Sequence, residues 1–324
     1  LEDLVMTVIR RALTLFASAA LSLSLAGPAT ASLADGGPPA WACSSEGNAA
    51  ASAGAGAEAR DGSARGAAVG SHALIRDGET GQVGRDLPKE AKGRAPSDFS
   101  VTVPVYWHVV TDGAAGAVTD AQILTQISAI NRGFSGGEGG AATGFAFALS
   151  GVTRTNNAVW YRSQSGGAEH DMKRTLKQGG DNALNVYSTS GGALLGYAYL
   201  PEITDTAQAY LDGIVIDWRT MPGVSTEYEG VSDEGDTLTH EAGHWLNLEH
   251  TFFGQCNKNG DFVADTPPQK SATSGCPVGK DTCPAPGLDP VHNYMDYSDD
   301  SCITQFTPGQ VQRMRDAWLF WRAT

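Results

Sequence analysis

Basic residues are scarce in this sequence. Lys and Arg number 22 against 36 Asp and Glu, for a formal net charge of −14. The imbalance is local: residues 1–97 hold 9 basic and 10 acidic side chains, residues 98–324 hold 13 and 26. An acidic module of this kind repels phosphate backbones and anionic lipid heads, so nucleic acid and the membrane surface are excluded as partners. Long apolar runs are missing too. The one candidate, Ala12–Leu25, is too short to span a bilayer. The five cysteines include no CxxC pair, which weighs against a four-thiolate zinc site. No internal repeat is found.

The short apolar run has its own meaning. Arg10 and Arg11 precede it, Gly27 and Pro28 end it, and Ala29-Thr30-Ala31 forms a cleavage site. That order predicts a secretory signal peptide over 1–31 and a secreted, extracellular protein, with residues 1–5 ahead of Met6 read as a start-site artefact. From 32 to 97 the chain is low in complexity. Ser44–Gly70 is Ala, Gly and Ser with almost no large apolar side chain, too little to offset its ordering entropy. It reads as a leader or pro-segment.

Regular patterns begin near Asp98 and continue to 324. Phe99–Val110, Phe145–Thr153, Leu184–Ser188, Leu194–Leu200 and Gly213–Trp218 read as strands. Ile123, Ile127 and Ile130 at helical spacing predict a helix over 120–134, and Glu169–Gln178 a shorter one. Another helix starts near Asp236. A last one starts at Thr307-Pro308, with Gln310 as capping-box partner. Strands alternating with helices indicate a mixed sheet packed on helices.

Histidine is rare, at seven in the chain, yet three stand in eleven positions of THEAGHWLNLEHT: His240, His244 and His250. Four residues apart on a helix, His240 and His244 share one face and can bind one zinc ion. Glu241 sits beside them, suited to polarising a water on that metal rather than to ligating it. The pattern alone arises by chance on the order of once in a couple of hundred chains. His250 raises its weight, because the chain must turn after His244 to bring a third imidazole to the metal. The extended zinc-peptidase pattern has Gly at the turn. Here the residue is Asn247, the side chain that best tolerates left-handed backbone after Gly. Three protein ligands leave a fourth position open, the mark of a catalytic zinc.

Downstream, HNYMDYSDDSC places Met295 and Tyr297. Together HEAGHWLNLEHTF, GDFVADTPPQ, DTCPAPGLDPVHNYMDYSDDSC and FTPGQVQRM resemble the pappalysin family of metzincin metallopeptidases, over roughly 100–322. The resemblance implies an α+β fold with an α/β-like upper lobe: a five-stranded twisted mixed sheet with two long helices. An irregular, disulfide-tied lower lobe would end in the C-terminal helix. It implies Met295 in a tight turn beneath the zinc and Tyr297 near the metal, where its phenol would steady an oxyanion. It implies a peptide or protein substrate lying along an edge strand within Leu194–Leu200.

Spacing alone leaves three pairings open for the clustered cysteines. The family pattern implies Cys256–Cys283 and Cys276–Cys302. It also implies calcium near Asp261, Asp265 and Thr266, where a solvated acidic loop is the alternative. Cys43 is either a latency thiol for the open zinc position or an unpaired leader cysteine. Asp299 and Asp300 follow the Met-turn, and as specificity-pocket walls they would favour Arg or Lys; solvated or calcium-bound carboxylates are the alternatives. The expected protein is thus a monomeric, secreted zinc endopeptidase. A non-catalytic, zinc-stabilised extracellular binding module and a zinc hydrolase of non-peptide substrates are the rivals. Glu241 argues against the first, since a structural site has no use for it.

Overall fold

The computed structural model describes residues 86–163, 166–192 and 194–323. The signal peptide, the Ala/Gly/Ser-rich stretch and Cys43 lie outside the described residues. The elements are β1 (Val101–Thr111), α1 (Asp120–Ser135), β2 (Phe145–Asn156), α2 (Ala158–Tyr161), α3 (Gly167–Leu176), β3 (Leu184–Thr189), β4 (Gly196–Ala198), β5 (Ile214–Asp217), α4 (Asp236–Trp245) and α5 (Pro308–Ala317), followed by a π-helical turn, Trp318–Arg322.

The five strands form one mixed sheet in the order β2-β1-β3-β5-β4. All neighbours are parallel except β4, which runs antiparallel to β5 at the edge. Side chains alternate across a strand, and this alternation builds two cores. Val186, Ile214, Ile216 and Ala198 join Val103, Val105, Trp107 and Val109 against α1 and α4. Their neighbours Tyr187, Val215, Tyr197 and Tyr199 pack on the other face with Met172 of α3.

Helix α1 begins at the capping box of Thr119 and Gln122 and ends at Gly136, whose φ of 71° closes the last turn. Its buried stripe of Ile123, Ile127, Ile130 and Phe134 lies on the sheet. Only three residues of the expected strand Leu194–Leu200 pair in the sheet. Leu194 N–H turns back to Gly191, and Pro201 opens a 3-10 turn, so both ends leave the ladder.

Between α4 and α5 there is no helix or strand. Two disulfides hold this segment, Cys256–Cys283 and Cys276–Cys302, with Cα separations of 5.4 and 5.5 Å. Each closes a loop of under 30 residues, a constraint worth roughly 3 kcal/mol against the unfolded chain.

Candidate metal centre and active site

The centre is built on α4. The helix starts after Gly235, in left-handed backbone at φ 95°, which offers no capping side chain. The cap comes from elsewhere in the chain. Asp300 Oδ2 accepts the backbone N–H groups of Glu234 at 2.9 Å and Asp236 at 3.4 Å. At the other end Asn247 has φ 76°. Its N–H reaches the His244 carbonyl at 2.8 Å, and the Leu248 N–H reaches the Gly243 carbonyl at 2.9 Å. These two bonds make a Schellman closure with Asn in the place usual for Gly. The turn aims His250 back at the helix.

Three imidazoles converge. Nε2 of His250 lies 3.3 Å from Nε2 of His240 and 3.1 Å from Nε2 of His244. The other ring nitrogens settle the protonation. Nδ1 of His240 is 2.5 Å from the Tyr294 carbonyl oxygen, and Nδ1 of His244 is 2.7 Å from that of Leu248. A carbonyl only accepts, so both Nδ1 atoms carry a proton, and in the neutral imidazole each Nε2 then presents its lone pair. Lone pairs this close repel unless a cation stands between them. Ligands at about 2.0–2.1 Å from a tetrahedral zinc would be about 3.3–3.4 Å apart, which fits. All three rings are buried, and His250 stacks on Phe252 with centroids 4.6 Å apart.

Met295 is fully buried beneath α4. Its sulfur fills the space that a side chain at Gly243 would need. The turn is held from below: Met295 N–H donates to Asn293 Oδ1 at 2.9 Å, and Asn293 exchanges two amide bonds with Gln310 of the α5 capping box. Tyr297 is half-buried, with its ring centroid 5.0 Å from that of His250 and 5.7 Å from that of His240.

Glu241 is buried and lines a small cleft that it shares with His240, Tyr297, Gly196, Asp236 and Asp300. Gly196 on β4 is a close neighbour. An ideal Cβ there would stand 2.9 Å from Glu241 Cγ and 3.0 Å from its Oε1. Burial pushes the Asp236 carboxyl well above the usual carboxylate range, and the Asp300 charge adds to the effect. Burial raises Asp300 as well, partly offset by the two N–H groups it accepts. Asp299 does not line the cleft among the described residues. Asp296 lines it but is spent on the Gln269 amide, the Thr273 hydroxyl and two backbone N–H groups.

The acidic loop divides. Asp261 is buried and accepts Val263 N–H at 3.1 Å, with the buried Thr266 hydroxyl beside its carboxylate. Burial pushes its carboxyl up to about 7. Asp265 instead accepts Thr307 Oγ1–H at 2.7 Å and Gly309 N–H at 2.8 Å at the start of α5. Sequence reasoning missed Gly196, Gly243 and Asn293. Only the HEAGH spacing hinted at one of them, since Gly243 shares the helix with the ligands.

The Peptidase_M43 family, described as pregnancy-associated plasma protein-A, matches residues 196–318. An extracellular metalloprotease of Arthroderma benhamiae is 44% identical over 230 residues, covering 69% of this chain and 74% of that protein. One from Pyricularia oryzae is 45% identical over 235 residues, covering 71% and 79%. Among solved structures, mature mirolysin of Tannerella forsythia in complex with a cleaved peptide aligns with a TM-score of 0.59 and 31% identity, covering 71% of this chain and 94% of that one. A promirolysin mutant from the same organism aligns at 0.60 and 29%, covering 71% and 84%.

Proposed function

The chain belongs to the pappalysin family of metzincin metallopeptidases and is a secreted endopeptidase; from that premise we propose that its metal is zinc, held by His240, His244 and His250, with Glu241 as general base. When bound, zinc acidifies the attacking water and polarises the scissile carbonyl. Glu241 takes a proton from that water as its oxygen adds to the carbonyl carbon. It returns the proton to the amine nitrogen as the C–N bond breaks. Tyr297 donates a hydrogen bond to the developing oxyanion. An extended peptide adds to the edge strand β4 through main-chain bonds, as a sixth strand.

The observation that carries this reading is the convergence of three Nε2 atoms, with one of the three rings, His240, lining the same cleft as the buried Glu241. It is tested by casein cleavage with the purified enzyme beside Glu241→Gln, counting metal in both. Cleavage falls by about 10²–10⁴-fold in the variant at equal metal content. Equal cleavage removes Glu241 as the base. No cleavage by either protein, with metal bound, leaves the zinc-stabilised binding module.

Three finer assignments join the proposal. A substrate side chain entering the cleft meets Asp236 and Asp300, so the pocket prefers Lys or Arg. Calcium binds at Asp261 and Thr266, whose buried oxygens suit a hard cation. Four of the five cysteines are paired, which leaves Cys43 as the thiol proposed to keep the precursor latent. A Cys43→Ser precursor as inactive as the parent removes that role.

A further inference from the structure

We infer that maturation leaves residues 86–97 on the enzyme, as a permanent strap over its C-terminal helix. Composition groups this segment with the leader, yet it is built into the catalytic fold. Ala91 is fully buried and Leu87 nearly so, packed with Ala317 and Trp321. Three consecutive backbone N–H groups close on one carboxylate. Gly93 N–H donates to Asp316 Oδ2 at 2.7 Å, and those of Arg94 and Ala95 donate to Oδ1 at 2.8 and 2.9 Å. Gly93, at φ 69°, shapes the loop into a concave nest for the anion.

Asp316 is hard to account for without the strap. It lies on α5 and is 3% exposed, so its charge needs donors within the protein. Its one other bond is to the Gln312 side chain at 3.1 Å. Removing residues 86–97 would leave a buried carboxylate stripped of three donors and would uncover Trp321.

The strap also reaches the metal centre. Asp86 pairs with Arg313 at 3.3 Å. The buried Arg313 donates from Nε to the Asn247 carbonyl at 2.7 Å, at the turn that presents His250. Nine residues on, Arg322 donates to the Trp245 carbonyl at 3.1 Å. Two arginines from the strapped region thus satisfy carbonyls at the end of α4. Arg313 is therefore a positioning residue for the third ligand.

The experiment uses the full chain, expressed in a secreting host, with the N-terminus of the active form read by intact mass. The active form begins ahead of Asp86. An active form beginning anywhere after Asp86 overturns the inference. A chain left uncleaved keeps the strap in place, and Asp316→Ala then decides. Loss of the strap lowers the melting temperature by about 5 °C or more and speeds release of the metal to a chelator. An unchanged or raised melting temperature with unchanged metal retention overturns the strap.

Discussion

Nδ1 of His240 donates to the carbonyl oxygen of Tyr294, the residue before Met295, across 2.5 Å. This bond joins the metal helix to the turn beneath it. It fixes which nitrogen of His240 faces the metal, and it sets the height of Met295 under the site. Outer partners of this kind orient the ligand rings and hold their tautomers.

Gly196 has no room for a methyl group beside Glu241. In Gly196→Ala the carboxylate must move by a few tenths of an ångström or more. We expect kcat to fall by about 10-fold or more, since small misplacements of a reacting group are costly, with KM and metal content little changed. Steady-state kinetics on a peptide check this. An unchanged kcat shows that Glu241 has slack.

Asn247 holds left-handed backbone at φ 76°, a conformation that Asn tolerates better than Ala, and glycine better than either. Asn247→Ala should cost about 1 kcal/mol or more and weaken metal retention. Asn247→Gly should keep both. Denaturation and chelator competition separate the two, and an alanine variant as stable as the glycine one contradicts the turn's role.

Asp236 and Asp300 hold protons in the folded protein that the unfolded chain releases near its ordinary carboxylate pKa of about 4. The stability linked to this pair is therefore greatest at acid pH and declines as pH rises. The same rise makes the pocket more negative. KM for a peptide placing Lys in this pocket should fall with pH relative to its Leu counterpart, and Asp300→Asn should flatten the difference. Parallel profiles for both peptides in the parent remove the preference.

Asp261 titrates near 7 because of burial, so a proton competes with calcium below that pH. Added calcium should raise the melting temperature more at pH 8 than at pH 6, and Asp261→Asn should abolish the increment. Equal shifts in parent and variant put calcium elsewhere.

The sequence by itself determined what depends on neighbours along the chain. Two histidines one helical turn apart share a face wherever the helix lies, and Asn247 tolerates the turn that His250 requires. The start of α5 followed from the capping box of Thr307 and Gln310, the span of α1 from its isoleucine spacing, and the strands from their alternation. Tertiary structure decided what depends on distant partners. Asp300, 64 residues from the Asp236 N–H it accepts, became the cap of the metal helix. Asp265 went to the start of α5, 44 residues on. Asp316 closed on Gly93, 223 residues upstream, and brought a leader-like segment into the fold. Local patterns encode backbone preference, but they do not encode which buried charge meets which N–H. That choice is made only when packing removes water from both groups and leaves each to the other.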